Sequence, residues 1–467
     1  MTNLTEPEKD FRDHIATVDA SGRRNWIYPT KPKGRLHRAR IGVAVALIAF
    51  LVIAPFIKMN GYPIFMLNIV ERRFILFGVP FWPQDLKILF VVFITLIVCF
   101  IVFTAVWGRL WCGWACPQTV FMEMVFRKVE YWIEGSALQQ KKLNEGPWNL
   151  EKIWRKGVKM GLFIVLAYGV SHIFLAWIIG VDALGQIISE PITQHLPGFI
   201  AINVFSFVFL FVFAWFREQA CVIVCPYGRF QSVLLDNDTK VIHYDFERGE
   251  PRGKKSKIES ETPKGDCVEC GQCVRVCPTG IDIRNGTQLE CVNCTACIDA
   301  CDEIMEKLDR PKGLIRFASF NEIKSGIKNT FSNRVMAYSV IMCLLLSVSA
   351  FLLISRPQTH MTLTRVHGSV YQELEDGDIL NLYRVKLANN TFDSIPLSFD
   401  LIGGEGELRS PEDLVLPPYG SAEAVINVLM PKEKMISKKK ELGFRVSEKG
   451  GRLLAENDLI FIGPFVR

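Results

Sequence analysis

The chain has 467 residues, is 49% apolar and 22% charged, and carries a formal net charge of +6. That is too oily for an ordinary soluble protein of this charge. Its surplus of Lys and Arg follows membrane topology, so nucleic acid need not be invoked, and the lack of a DNA-binding motif sets aside a transcription regulator.

Residues 1–40 are polar and read as an N-terminal segment that remains on the chain, not as a cleaved signal peptide. Apolar runs follow at 41–57, 88–107, 158–180, 199–216 and 335–354. Each is about long enough to cross a hydrocarbon core of ~30 Å. Basic residues crowd the side before the first run (Arg23, Arg24, Lys31, Lys33, Arg35, Arg38 and Arg40), the loop 109–156 and the region 217–334. The segment 181–198 has none. The positive-inside rule predicts five spans, a cytoplasmic N-terminus and a C-terminal domain outside.

The membrane part repeats itself. The second run leads into Arg109-Leu-Trp-Cys112-Gly-Trp-Ala-Cys116-Pro117, and the fourth into Arg217-Glu-Gln-Ala-Cys221-Val-Ile-Val-Cys225-Pro226. Phe121 and Phe230 stand at the same offset beyond each second cysteine. On a helix, thiols four apart share a face, and the prolines would end or kink it. Four thiols meeting there would make a soft site suited to Cu(I), zinc or an iron–sulfur centre, or a redox dithiol. Packing cysteines at helix ends are the plain alternative, and Cys99 and Cys343 are read that way. Between the repeats, Lys128, Tyr131, Trp132 and Trp154 suggest a segment lying along the membrane surface.

Residues 248–264 are charged and punctuated by Gly249, Pro251, Gly253 and Pro263, which reads as a linker. Beyond it come Cys267, Cys270, Cys273 and Cys277, followed by Pro278, then Cys291, Cys294, Cys297 and Cys301. Each quartet runs C-x2-C-x2-C-x3-C, the spacing of bacterial ferredoxins with two [4Fe–4S] clusters, in which the fourth cysteine crosses to the other cluster. Cys267, Cys270, Cys273 and Cys301 would hold one, and Cys291, Cys294, Cys297 and Cys277 the other. Three cysteines in seven residues crowd a tetrahedral zinc site, and a disulfide framework would require an oxidising compartment. Asp302 stands where the second quartet would often have proline.

After residue 354 the pattern turns to period two: Tyr383, Val385, Leu387; Ile395, Leu397, Phe399, Leu401; Leu442, Phe444, Val446. Turn signals at Asp376-Gly377, Gly403-Gly404 and Pro417-Pro418 separate these runs, which predicts an immunoglobulin-like β-sandwich used for docking. His172 lies inside an apolar run, where an ionisable residue suggests a haem or copper ligand, a quinol contact or a satisfied imidazole. Met59, Met66, His360, Met361 and His367 fall in outer segments, where copper binding is the alternative to their reading as ordinary residues.

Taken together, the five runs, both C-x3-C-P motifs, the Gly249-Glu-Pro-Arg-Gly253 and Phe81-Trp-Pro-Gln-Asp85 stretches, the quartets and the β-rich tail resemble the cytochrome c oxidase accessory proteins of the CcoG/FixG/RdxA family. The resemblance covers nearly the whole chain from about Leu36. It implies an inner-membrane Cu(II) reductase of Gram-negative bacteria serving assembly of cbb-type oxidase. Such a protein would carry two [4Fe–4S] clusters, with Cys112, Cys116, Cys221 and Cys225 as the reducing site and copper as substrate. Its partners would be a cytoplasmic electron donor, a copper transporter or chaperone, and oxidase assembly factors.

The expected organisation is a cytoplasmic segment 1–40, a membrane core 41–235, a cytoplasmic ferredoxin domain 236–334, a fifth span 335–354 and a periplasmic immunoglobulin-like domain 355–467. Two rivals share the cysteine plan. A quinol dehydrogenase or electron-relay subunit predicts a quinone site among the helices and no copper requirement; a non-catalytic assembly scaffold predicts no turnover with Cu(II).

Overall fold

A computed structural model describes residues 17–18, 21–59, 62–68, 73–253, 264–327, 332–368, 370–403, 406–411, 413–435 and 437–464. Within them five helices are long and apolar enough to cross a membrane: Arg35–Phe56, Leu86–Trp107, Leu150–Ile179, Leu196–Phe216 and Asn333–Ile354. The first and third begin earlier than their apolar runs. Asp299, distant in sequence, accepts the backbone N–H groups of Leu36 and His37 at 3.1 and 2.7 Å. It thereby satisfies donors that open the first helix, which lacks a local side-chain cap. The third helix starts at Asn149, whose side chain accepts the Lys152 N–H at 2.8 Å.

The chain divides into two compact units. One comprises Met1–Phe56, Val92–Ala176 and Gly180–Ser347. Part of its membrane core is aromatic: Phe126 stacks on Phe213 at 5.0 Å and meets Phe163 edge-on at 4.8 Å. Its ferredoxin part is closed by the strand pair Val241–Tyr244 and Ile315–Ala318, antiparallel with His243 opposite Arg316. Helices Gln272–Arg275 and Ala296–Lys307 carry cysteines of the two quartets. The latter helix runs through Asp302 unbroken, and that carboxylate accepts the Gly313 N–H at 2.9 Å. Asp302 therefore anchors the return of the chain toward the closing strand, a role proline could not fill.

The expected linker is only partly one. Arg248 bonds to Asp266 at 2.5 Å and to the Lys312 carbonyl at 3.1 Å, and the Gly253 N–H reaches the Cys267 carbonyl at 3.1 Å. This stretch is part of the ferredoxin wall; residues 254–263 lie outside the described ones.

The other unit comprises Ile57–Val91, Trp177–Ile179 and Val348–Arg467. Its two facing sheets have strand orders Glu407–Arg409, Ser421–Pro431, Asp378–Asn389, Thr359–Arg365 and Val415–Leu416, Ile395–Ile402, Lys439–Glu448, Leu453–Ile462. Alternate residues of each enter the core, with Val385, Leu397, Ile426, Val428, Phe444 and Phe461 buried. This is the expected immunoglobulin-like sandwich. Of its turn signals, Gly404 lies outside the described residues. The loop after the first helix, expected to belong with the membrane core, joins this unit. It forms the three-stranded meander Met66–Asn68, Arg73–Leu76, Val79–Phe81. Asp85 ties it to the tail through Arg356 and His360.

Candidate metal centre

The quartets fold alike. Glu269 and Asn293, two residues beyond the first cysteine of each, have φ 56° and 52°; Gly271 and Thr295, two residues further on, have φ 67° and 65°. Left-handed backbone is costly for the three residues that are not glycine, and it persists where surroundings require it. Here it curls each quartet around a cavity. Cys267, Cys270, Cys273 and Cys301 line one, with Tyr244 and Met305. Cys277, Cys291, Cys294 and Cys297 line the other, where Cys273 also reaches. Each cavity thus groups three thiols of one quartet with the fourth of the other.

Both cavities fit an iron–sulfur cubane. Each is ringed by thiols, all of them free, and walled mainly by apolar groups. Among the described residues no three His, Cys, Asp or Glu are grouped closely enough for one metal ion. Burial pushes the Cys273 and Cys294 thiols up to about 11 and those of Cys291 and Cys301 to about 12. Ligation by these thiolates therefore releases protons at neutral pH. The crossover is separable by mutation. Cys301→Ser is expected to cost the cluster next to Tyr244 and Cys277→Ser its twin, each leaving about half of the iron per chain. Iron analysis with EPR of the reduced protein checks this.

At the membrane-edge motifs the helices end at the prolines as expected, but the two cysteines of each motif do not share one helix. Cys112 sits in the short helix Leu110–Trp114, but Cys116 is extended (φ −62°, ψ 126°) and precedes Pro117, first residue of a new helix. In the second copy Cys221 lies in a wide helical turn and Cys225 is extended (φ −64°, ψ 112°) before Pro226. The residue before proline is pushed out of the helical region, so the chain turns at the second cysteine of each motif. Packing brings the copies together: Gln118 donates to the Arg217 carbonyl at 3.3 Å, and Gln231 to the Cys112 sulfur at 3.4 Å. Cys221 feels the charges of Cys116, Cys112 and Cys225. Burial first, then these neighbours, push its thiol up to about 12; burial pushes Cys112 up to about 11 despite the Gln231 bond.

The first motif also lies against the second quartet. Cys112 packs against the buried cluster of Val276, Val292, Cys294 and Ala296, as Cys297 also does. Arg109 is buried and donates to the carbonyls of Leu289 and Gly228, so one guanidinium joins the quartet loop to the second motif. Its charge faces Cys112, Cys291 and Cys225.

Sequence reasoning missed an ion-pair network beside these motifs. Arg217 grips Glu130 at 2.9 and 3.0 Å, Lys159 and Lys156 reach Glu134 at 2.9 and 2.8 Å, and Arg24 holds Glu218 at 2.9 Å. Part of it lines a polar cavity of about 660 Å³ with Trp26 and Tyr28. Charges scattered between residues 24 and 218 carry no short-range pattern that would have revealed it. A second, apolar cleft of about 260 Å³ lies among Phe121, Phe174, Phe205, Phe209 and Phe213, with Gln118 at its edge. His172 is not part of it; its Nδ1 is 2.8 Å from the Tyr168 carbonyl of its own helix. Trp132 and Trp154 are exposed. His360 is engaged with Asp85.

Comparison with known proteins agrees with this geometry. A family described as a 4Fe-4S dicluster domain matches residues 216–320, a 4Fe-4S binding domain matches 89–136, and an IG-like fold at the C-terminus of FixG matches 349–464. Protein RdxA of Cereibacter sphaeroides is 33% identical over 78% of this chain and 80% of its own, and RdxB of the same organism 31% over 80% and 81%. This chain belongs to the FixG/RdxA family. The nitrogen fixation protein FixG of Rhizobium meliloti is 34% identical over 64% of this chain, which spans 58% of FixG. As a FixG/RdxA protein the chain is an iron–sulfur electron-transfer protein with five helices of membrane-spanning character.

Proposed function

We propose that this protein reduces Cu(II) to Cu(I) at the thiols of Cys112, Cys116, Cys221 and Cys225, and that the product serves assembly of a cbb-type oxidase. The observation that carries this reading is that Cys112 packs against the buried cluster of Val276, Val292, Cys294 and Ala296 around the second quartet. A soft sulfur close to a quartet supports a site that would prefer copper. When bound, the two [4Fe–4S] groups held by the quartets supply one-electron transfer. The chain excludes water around them with Ile242, Ile281, Met305 and Leu314, and Arg109 holds the first motif against the quartet loop. Each Cu(II) takes one electron, and thiolates stabilise the Cu(I) product more than the Cu(II) substrate. In this reading the N-terminal segment and quartets face the cytoplasm of a Gram-negative bacterium and receive electrons from a donor there. The sandwich faces the periplasm and docks assembly factors, and Cu(I) leaves to a transporter or chaperone.

The test is anaerobic mixing of Cu(II) with the cluster-loaded protein, reduced by dithionite and freed of excess reductant. Stoichiometric cluster oxidation with Cu(I) formed is expected, and its loss when the four motif cysteines are replaced by Ser while the clusters remain. Clusters that stay reduced in the presence of Cu(II) would exclude the reading. The phenylalanine-lined cleft with its Gln118 amide supports a second reading, quinol oxidation. It requires that a short-chain quinol, but not Cu(II), exchange electrons with the clusters.

A further inference from the structure

The two thiol sets differ in the charges around them. Beside Cys277, Cys291, Cys294 and Cys297 lie two buried guanidinium groups, those of Arg40 and Arg109. Arg40 Nε donates to the Gly113 carbonyl at 2.6 Å. Gly113 is packed on the Val292 and Asn293 backbone, within the loop from Cys291 to Cys294. Arg109 donates to the Leu289 carbonyl, two residues before Cys291, and to the Gly228 carbonyl. These acceptors are all neutral. Among the described residues neither arginine is ion-paired, and Arg40 Nη2 and Arg109 Nε are buried without an acceptor. Burial and then the Arg40 charge act in opposite directions on the Cys294 thiol, and the Arg109 charge acts on that of Cys291. Of the carboxylates nearby, Glu123 is gripped by Arg127 at 2.5 Å, and Glu290 is only half-buried and open to screening by solvent.

Around Cys267, Cys270, Cys273 and Cys301 the balance is reversed. Arg284 lines that cavity, but Asp282 accepts its Nε at 2.8 Å and its Nη2 at 2.6 Å, so the pair cancels locally. Two further carboxylates add negative charge. Asp302 acts on the Cys301 thiol, and Glu250 accepts the hydroxyl of Tyr244, a wall residue, at 3.2 Å. Cys270 of this set is exposed, whereas Cys294 of the other is buried.

A [4Fe–4S] group gains a negative charge on reduction. A fixed cation beside it therefore favours the reduced form, and a fixed anion the oxidised form. Burial by itself opposes the added charge, so the more buried thiol set needs the cations more. We propose that Arg40 and Arg109 are positioning residues for the electron, making the Cys291-side set its lower-energy seat and so directing it from the exposed Cys267-side set toward Cys112. One electron leaves the Cys267-side cluster, which is oxidised, and enters the Cys291-side cluster, which is reduced; no bond or proton changes place. The inference rests on the two quartets holding [4Fe–4S] clusters and is independent of whether Cu(II) or a quinol lies beyond them.

The experiment is an EPR-monitored redox titration of the full chain in nanodiscs, with both clusters loaded. Cys301→Ser and Cys277→Ser assign the two waves. In wild type the Cys291-side wave should come at the higher potential, by about tenfold or more in the electron's distribution, or about 59 mV for one electron. Arg40→Gln and Arg109→Gln each remove a charge and should lower that wave by about tenfold, leaving the other within about twofold. Arg40→Lys keeps the charge and should restore most of the shift. Asp282→Asn takes the counter-ion from Arg284 and should raise the Cys267-side wave alone. A purely structural role for Arg40 would alter iron content without moving the midpoint of the cluster that remains.

A Cys267-side wave at the higher potential in wild type would overturn the inference, as would an Arg40→Gln protein whose loaded clusters keep both midpoints. Should the glutamine variants lose the Cys291-side cluster, the wild-type order and Asp282→Asn decide together: both must come out as stated, and failure of either overturns it. The acceptor is tested apart from this, by the anaerobic mixing with Cu(II), so loss of the copper reading would leave the order of the two waves untouched.

Discussion

Gly113→Ala is expected to abolish the cluster held by Cys277, Cys291, Cys294 and Cys297, and Cu(II) reduction with it. An added Cβ would lie 2.4 Å from the Val292 carbonyl oxygen and 2.8 Å from the Asn293 carbonyl carbon and oxygen. These are backbone atoms of the quartet loop, which bends through left-handed residues Asn293 and Thr295 and has no slack. The helix cannot step back either, because the Gly113 carbonyl accepts the buried Arg40 Nε at 2.6 Å. Overpacking of a well-filled site costs about 1–3 kcal/mol, and more where backbone must move. The loop is expected to yield, since it is the part whose geometry the cluster needs. Iron per chain should fall to about half, with the Cys267-side cluster retained. Gly157→Ala is the control: nothing lies within 4 Å of its added Cβ, so iron content should match wild type. Full cluster occupancy in Gly113→Ala would show that the motif does not bear on the loop.

Asp85→Ala should loosen the sandwich-bearing unit, in which its carboxylate is a buried hub. It accepts the Trp82 N–H at 3.0 Å, the Arg356 Nε at 3.1 Å and a second Arg356 nitrogen, and stands 2.8 Å from His360 Nε2. Arg356 also donates to the Asn390 side chain at 3.0 Å and lies over the Phe81 ring at 4.6 Å. Removing the carboxylate strands a guanidinium that is 7% exposed. A broken buried pair costs about 3–5 kcal/mol. Earlier thermal unfolding of this unit and faster proteolysis of the tail are the expected readouts.

The same group sets a pH dependence. Burial by itself would raise the Asp85 pKa, but hydrogen bonds from His360, Arg356 and the Trp82 N–H outweigh it and hold the carboxyl at about 2, below its ordinary 3.8. Its stabilisation is therefore complete above the unfolded value and disappears as pH falls from about 4 through 2. The acid limb of the melting profile should flatten in Asp85→Asn. An unchanged limb would assign acid sensitivity to other groups.

Chemistry that depends on spacing was legible in the sequence. The quartet spacing suggested the ligands and, by the pattern of bacterial ferredoxins, a crossover of the fourth cysteine; the cavities group the same thiols. The sandwich was legible through the alternation at Tyr383, Val385 and Leu387. Its long strand Ser421–Pro431 was missed although Ala424, Ile426 and Val428 alternate there as well. The C-x3-C-P motifs were legible as a repeat in which proline ends or kinks the helix; the turn falls at Cys116 and Cys225 because proline acts on the residue before it.

Local periodicity and cysteine spacing by themselves located the five apolar helices, three of the sandwich strands and the two thiol quartets, because those features rest on neighbours within a few residues. Only the tertiary structure decided that Asp299 caps the first helix, that Gly113 lies on Val292, that Glu218 lies among Arg24, Arg127 and Arg217, and that Asp85 holds Arg356. Each of these joins groups far apart in the chain. Their energies come from burial and from hydrogen bonds in a site without water, and neither exists until the chain has packed.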